Sequence, residues 1–242
     1  MVNQSEAVLR ELNLYPLWVR RSVPATAALP AVEPVSTVSI PAETGLPVVV
    51  AQNDLSQLNW ETLKQQVRDC QACQLRAGCR QTVLGVGDEH AEWLFVGEGP
   101  GADEDEQGEP FVGQAGKLLD NMLAAIKLQR GKNVYIANIV KCRPPNNRLP
   151  EKQEVASCLP YLQQQIALIK PKLIVALGKT AATALLGNEA SLGSMRGKLH
   201  HYQDIPLLVT YHPAYLLRTP SEKAKSWDDL RLAVATMAGL GA

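Results

Sequence analysis

Beyond about residue 53 the apolar positions fall into two rhythms, and between residue 22 and about residue 51 they keep neither. Four short unbroken runs, Trp93–Val96, Val134–Ile139, Leu173–Leu177 and Leu207–Thr210, have the length and aliphatic content of strands buried on both faces. Leu118, Leu119, Met122, Leu123 and Ile126 recur at helical spacing and predict one helix face. Val155, Leu162, Ile166 and Ile169 predict a second helix, which Pro160 is expected to start or kink, because proline has no amide hydrogen and its ring crowds the preceding turn. Strands alternating with helices predict an α/β fold around a mainly parallel sheet covered on both faces. Ligands of such sheets gather at the carboxyl ends of the strands, where the polar and glycine-rich segments of this chain fall.

The first 52 residues read differently. Residues 1–21 look like a short helix-like segment ending in Leu17, Trp18, Val19, Arg20 and Arg21. Residues 22–52 are rich in Pro, Ala, Val, Thr and Ser without period, the composition of an extended linker. Residues 53–242 are expected to form the ordered domain.

With 46% hydrophobic residues the chain of 242 has material for a core, and its formal net charge of zero means that any nucleic-acid binding must come from local patches. No stretch approaches the roughly 20 apolar residues of a spanning helix, so no membrane role is expected. The N-terminus has no basic segment followed by an apolar one. Five cysteines without an export pattern argue for a reducing, cytoplasmic compartment, where metal binding is favoured over disulfides. Cys70 and Cys73 form a C-x-x-C pair, and Cys142 and Cys158 stand 16 apart much further on. Four thiolates from two distant segments can close a site for zinc or for an iron–sulfur cluster, and spacing does not choose between them. Buried, unliganded cysteine is the competing reading. Cys79 is the poorer ligand, since a fifth thiolate is not needed.

Two glycine-bearing segments follow strands. Gly97 to Ala102 matches a dinucleotide fingerprint, but Asp103, Glu104, Asp105 and Glu106 come next and would repel a pyrophosphate, so the nucleotide reading fails on charge. The acidic block itself reads as a solvated loop. Gly178, Lys179 and Thr180 resemble the end of a phosphate loop, but its first glycine would fall on Leu173. Between Gly108 and Gly113 stands Phe111, an aromatic ring outside any apolar stripe, able to stack on a flat heterocycle or to pack in the core.

Asn138 sits inside an otherwise apolar strand run, where its amide needs partners and can read the edge of a base. The last strand run leads directly into His212, Pro213, Ala214, Tyr215, Leu216, Leu217 and Arg218. His212 at a strand's carboxyl end is positioned for chemistry. Leu216 and Leu217 can wedge into a base stack while Arg218 meets phosphate, with ordinary core packing as the alternative for the leucines.

Taken together, C-x-x-C at Cys70, GEGPGADEDEQGEPFVGQAGKLLD from Gly97, NIVKCRPPNNR from Asn138 and HPAYLLR from His212 resemble the family 4 uracil-DNA glycosylases. The resemblance implies a three-layer α/β/α sandwich around a four-stranded, mainly parallel sheet. It also implies a structural 4Fe–4S cluster on Cys70, Cys73, Cys142 and Cys158, and DNA containing uracil as substrate. By family position Phe111 would stack on the flipped base, Asn138 would read its edge, Glu104 would exclude a methyl at C5, and His212 would donate to the leaving base. Glu98 and the backbone of Gly99 would place water and face the cationic sugar. The best-known uracil glycosylases have a water-activating aspartate where Gly99 stands, so the group that activates the water is open. Ala102 and Asp103 depart from the two glutamates usual in the family.

Residues Leu9 to Arg21 resemble a second, unrelated segment, the N-terminal peptide by which the psi subunit of bacterial DNA polymerase III docks on the clamp loader. That resemblance implies a tether to the replication machinery. Its rival function is a replisome subunit in which the glycosylase-like domain is a non-catalytic DNA-binding or scaffold module.

Overall fold

Every one of the four apolar runs is a strand, and the computed structural model, which describes residues 58–240, sorts their side chains onto two faces. The strands are β1 (Val86–Gly87), β2 (Trp93–Gly97), β3 (Val134–Asn138), β4 (Leu173–Leu177), β5 (Leu199–Tyr202) and β6 (Ile205–Thr210). They lie in the order β1-β3-β2-β4-β6-β5. The four central strands are parallel, as the alternation with helices predicts, and β1 and β5 add antiparallel edges. These two are the difference from the four-stranded sheet expected. Neither carries a strand signal: β1 has two residues, and β5 reads Leu-His-His-Tyr with only Tyr202 buried. The residue-by-residue reading of β3 runs one too far, because pairing stops at Asn138 and Ile139 lies beyond it.

The helices are α1 (Trp60–Arg68), α2 (Leu75–Gly78), α3 (Ala102–Gln107), α4 (Gln114–Ala125), α5 (Lys152–Ile169), α6 (Lys179–Leu186), α7 (Leu192–Met195), α8 (Pro213–Arg218) and α9 (Lys223–Leu240). On one face of the sheet Leu94, Val96, Tyr135, Ala137, Ile174 and Ala176 pack with Leu162, Ile166 and Ile169 of α5 and Ala181 and Leu185 of α6. On the other face Trp93, Phe95, Val134, Ile136, Leu173 and Val175 pack with Leu119 and Leu123 of α4 and Leu230 and Ala233 of α9. Period-two alternation thus feeds two cores, one on each side, which makes the three layers.

Two expectations are corrected. Helix α5 begins at Lys152, eight residues before Pro160, and runs through the proline. Its start is fixed instead by Glu154, whose carboxylate accepts the Glu151 amide at 2.7 Å and an Arg148 guanidinium pair. Proline removes only one helical hydrogen bond, and burial of Cys158, Leu162, Ile166 and Ile169 holds the helix across the gap. The acidic block is not a loop either, although Asp103 and Glu106 are exposed as expected. It forms α3, with Asp103, Glu104 and Asp105 in the first turn, where the helix dipole favours negative charge. Asp105 is buried there and accepts the Arg80 amide at 2.9 Å.

The segments read as 1–21 and 22–52, with the clamp-loader-like peptide at residues 9–21, lie outside the described residues. Among the described residues no helix is long and apolar enough to cross a membrane.

Candidate active site

Chain order places β3 on one side of β2 and β4 on the other, so the loops after these strands diverge and leave a crevice at their carboxyl ends. A cavity of about 430 Å³ opens there. Glu98, Gly99, Glu104, Phe111, Asn138, His212 and Arg218 line it, joined by Pro144, Asn147, Arg148, Leu149 and Tyr215. The structure therefore brings together seven of the residues singled out from sequence, from three separate segments. Its size suits a single flat heterocycle with its sugar.

Phe111 has a backbone φ of 57°, in the left-handed region. For an aromatic residue this costs about 1–3 kcal/mol and persists only where the surroundings over-determine it. Glu104 supplies part of that constraint. One carboxylate oxygen accepts the Val112 and Gly113 amides at 3.0 and 3.1 Å, and the other accepts the Gly101 amide at 3.0 Å. A single side chain thus ties both glycine-rich loops together. The Phe111 ring is buried and also belongs to the core on its side of the sheet, so the two readings of this residue are compatible.

Gly97 ends β2 beneath the ring. A Cβ there would come within 2.4 Å of Asn138 Oδ1 and 2.5 Å of Phe111 Cζ, so only glycine lets the amide and the ring approach each other. Asn138 is buried, and its Oδ1 has no hydrogen-bond partner within the protein. An orphan acceptor costs about 1–3 kcal/mol unless something donates to it. Its backbone carbonyl is held by Lys141, a buried lysine whose ammonium donates to Asn138 O at 2.8 Å and to Gln165 Oε1 at 2.6 Å. Burial draws the Lys141 pKa down to about 8.

His212 caps α8. Its Nδ1 accepts the Ala214 amide at 3.2 Å, which leaves the proton of the neutral ring on Nε2. Burial, then the charge of Arg218, pulls its pKa down to about 4 against a small opposing effect of Glu104. The imidazole is neutral at neutral pH and offers one N–H. Gly178, at φ 91°, leaves it room, for a Cβ there would stand 3.0 Å from His212 Cβ. Two residues on, Thr180 donates a short hydrogen bond to Glu98 Oε2. Burial raises the Glu98 pKa and the Thr180 hydroxyl partly offsets it. The segment that failed as a phosphate loop thus shapes this site. Sequence reading missed Thr180, although it follows a strand end as His212 does.

Gly99 stands where a larger residue does not fit as packed: its Cβ would lie 2.7 Å from Val140 Cγ2. The two leucines of α8 separate. Leu216 is 1% exposed and packs inward, whereas Leu217 is 44% exposed beside Arg218. Leu216 is therefore part of the fold's interior, and the exposed side of α8 carries Tyr215, Leu217 and Arg218. A helix turns successive residues about 100° apart, which decides the division.

Cys142 lies four residues beyond Asn138 in the chain. All five are free thiols. Cys70, Cys73, Cys142 and Cys158 line one cleft between α1, α2 and α5, and Cys79, whose thiol lies beside that of Cys142, does not line it. Cys158 Sγ accepts the Lys141 amide at 3.2 Å and Cys70 Sγ the Ala72 amide at 3.4 Å. Burial pushes the Cys158 thiol up to about 11 and the Cys142 thiol higher still. Among the described residues no three His, Cys, Asp or Glu converge tightly enough to chelate a single ion.

The model of the uracil DNA glycosylase superfamily matches residues 84–231. A type-4 uracil-DNA glycosylase of Pyrobaculum aerophilum is 42% identical over 183 residues, 72% of this chain and 93% of that protein. Those of Sulfurisphaera tokodaii and Thermotoga maritima are 43% and 42% identical, covering 71% and 68% of this chain and 81% and 86% of theirs. The matched region runs through every strand of the sheet and every loop that lines the cavity from Glu98 to Arg218. The chain belongs to the uracil-DNA glycosylase superfamily.

Proposed function

We propose that this protein is a DNA-repair enzyme that hydrolyses the N-glycosidic bond of uracil in DNA and leaves an abasic site. The observation that carries the reading is the buried, unpartnered Oδ1 of Asn138 beside the Phe111 ring. An amide oxygen that lacks a donor, next to an aromatic surface, suits a planar ligand with an N–H flanked by a carbonyl. Uracil N3–H would donate to Oδ1 and its O4 would accept from Nδ2. Cytosine has these polarities reversed.

Reaching such a pocket requires the nucleotide to leave the duplex stack. Leu217, Tyr215 and Arg218 are the groups disposed to meet the strand around it. The bond from C1′ to N1 breaks with its electrons moving into the base, and water adds to C1′ and loses a proton. The Nε2–H of neutral His212 would donate to the uracil oxygen where charge develops. An aimed donor of this kind is worth about 3–4 kcal/mol. Glu98, held by Thr180, would face the sugar cation and orient the water, since Gly99 brings only its backbone. Glu104, with both oxygens engaged by backbone amides, would narrow the C5 side as it braces the Phe111 loop.

Cys70, Cys73, Cys142 and Cys158 would hold a 4Fe–4S cluster. The four thiols share one cleft, where Cys158 and Cys70 accept backbone amides, and the family resemblance favours a cluster over zinc. Bound there, the cluster would supply mechanical bracing between α1, α5 and the strand end that bears Asn138.

Residues 9–21 are proposed as a tether to the clamp loader, tested by co-purification of the full chain with clamp-loader subunits against a Trp18→Ala control. The idle-scaffold alternative is not favoured, since Glu98, Asn138 and His212 share one cavity. The test of the activity is a uracil-containing oligonucleotide cleaved with alkali after incubation. The intact chain is expected to yield strand breaks, and His212→Ala to lower the rate about 10²–10³-fold. Equal breakage by both proteins would reject this reading.

A further inference from the structure

The loop bearing Phe111 is held from two sides, and Glu104 accounts for only one. On the carbonyl side, Arg130 Nη1 donates to Pro110 O at 2.8 Å and Nη2 donates to Phe111 O at 2.7 Å. The third edge of the same guanidinium donates from Nε to Asp120 Oδ1, on α4, at 2.9 Å. Arg130 is presented by a tight turn in which Gln129 pairs with Lys132 and Gly131 takes a φ of 76°. A planar guanidinium alone offers two parallel N–H groups to successive carbonyls while a further N–H bonds a carboxylate. The Phe111 carbonyl also has no freedom on its far side, because a Cβ on Gly116 would lie 1.8 Å from that oxygen. The peptide planes flanking the left-handed Phe111 are thus fixed by Arg130 and α4 through their oxygens and by Glu104 through the following amides.

We infer that Arg130 is a positioning residue for base recognition: its forked donation to the 110 and 111 carbonyls holds the Phe111 ring as the floor of the pocket. The inference rests on the uracil-excising reading. If Arg130 merely formed an ion pair with Asp120, whose side chain is 46% exposed, its replacement would leave the ring where it is.

The test is a double-mutant cycle on the full-length chain, with Arg130→Ala and Arg130→Lys each made in the native and Phe111→Ala backgrounds. In the native background both are expected to raise the KM for a uracil oligonucleotide and the inhibition constant of free uracil about 10-fold, with kcat changed less. Lysine keeps the charge and the Asp120 pair but lacks the fork. Millimolar guanidinium ion is expected to restore part of the loss in Arg130→Ala. In the Phe111→Ala background the same changes are expected to matter less than 2-fold, because the ring they position is gone. Equal losses in both backgrounds, or less than 2-fold in the native one, would overturn the inference. A crystal structure of Arg130→Lys decides it without reference to activity. Phe111 leaving the left-handed region supports the clamp, and Phe111 unmoved refutes it. A native chain that excises no uracil would instead sink the functional reading, with the backbone readout still deciding on Arg130.

Discussion

Phe111 covers one side of His212, their ring centroids 5.5 Å apart and their planes tilted by 30°. The aromatic ring therefore does more than line the cavity. It strips water from the imidazole, and burial is the largest cause of the fall of the His212 pKa to about 4.

This makes a pH prediction with a definite sign. The His212 pKa is about 4 in the folded chain and about 6.5 when unfolded, so between these values the unfolded chain binds the additional proton. Stability from this group is complete above pH 6.5 and is lost as pH falls toward 4. The loss is at most about 3 kcal/mol, and less in proportion to the ring edge left open to the pocket. His212→Asn is expected to flatten denaturation midpoints across that window. In NMR titrations, the His212 ring of Phe111→Ala is expected to titrate closer to 6.5 than that of the native chain. An unmoved titration would show that Phe111 does not desolvate the imidazole.

Thr180 and Glu98 give a second prediction. The Thr180 hydroxyl lowers the Glu98 pKa against the rise that burial imposes. With Thr180→Val the offset disappears and the carboxylate protonates at higher pH. If ionised Glu98 serves the sugar cation, the acid limb of the pH–rate profile moves to higher pH, while the plateau at alkaline pH falls by less than about 10-fold. An acid limb that stays in place would remove Glu98 from the reaction.

Asn138→Asp tests the reading of the base edge. A carboxyl group buried in this position is expected to keep its proton, presenting an O–H where the amide oxygen was. Cytosine N3 accepts from such a group and its amine donates to the other oxygen, reversing the preference. Uracil excision is expected to fall by about 10² or more, and excision at cytosine in a single strand to become measurable. A variant that loses both activities equally would place Asn138 in the structure of the strand end and not in base reading.

How much of this was legible in the residues depends on the length scale of each feature. The central strands are fixed by uninterrupted apolar runs, and Asn138 and His212 stand out because a polar residue at a strand's end has few structural reasons to be there. Edge strands β1 and β5 leave no such trace, since half-exposed pairs need no apolar pattern. Leu216 and Leu217 are adjacent and alike in chemistry, and only the phase of a six-residue helix decides which one faces solvent. Pro160 misleads because the rule against proline is local, whereas the stability of α5 comes from burial along 18 residues. Thr180 and Arg130 act on Glu98 and Phe111 across gaps of 82 and 19 residues, and contacts of that kind have no spacing signature.

The cysteines provide the last prediction. Cys79 is buried too, so burial alone would make it as good a ligand as the others. What separates it is direction, since the other four thiols line the cleft and it does not. Protein purified without oxygen is expected to be brown, with a broad visible absorption from thiolate-to-iron charge transfer. Cys158→Ser is expected to be colourless and to melt about 10 °C lower, the scale of a 3–4 kcal/mol loss in a domain of this size. Cys79→Ser is expected to keep its colour and to lose only the small stability of one buried thiol. Should Cys79→Ser bleach while one of the other four serine variants stays brown, Cys79 is a ligand, and the bracing of Asn138 through Lys141 and Cys158 must be redrawn around it.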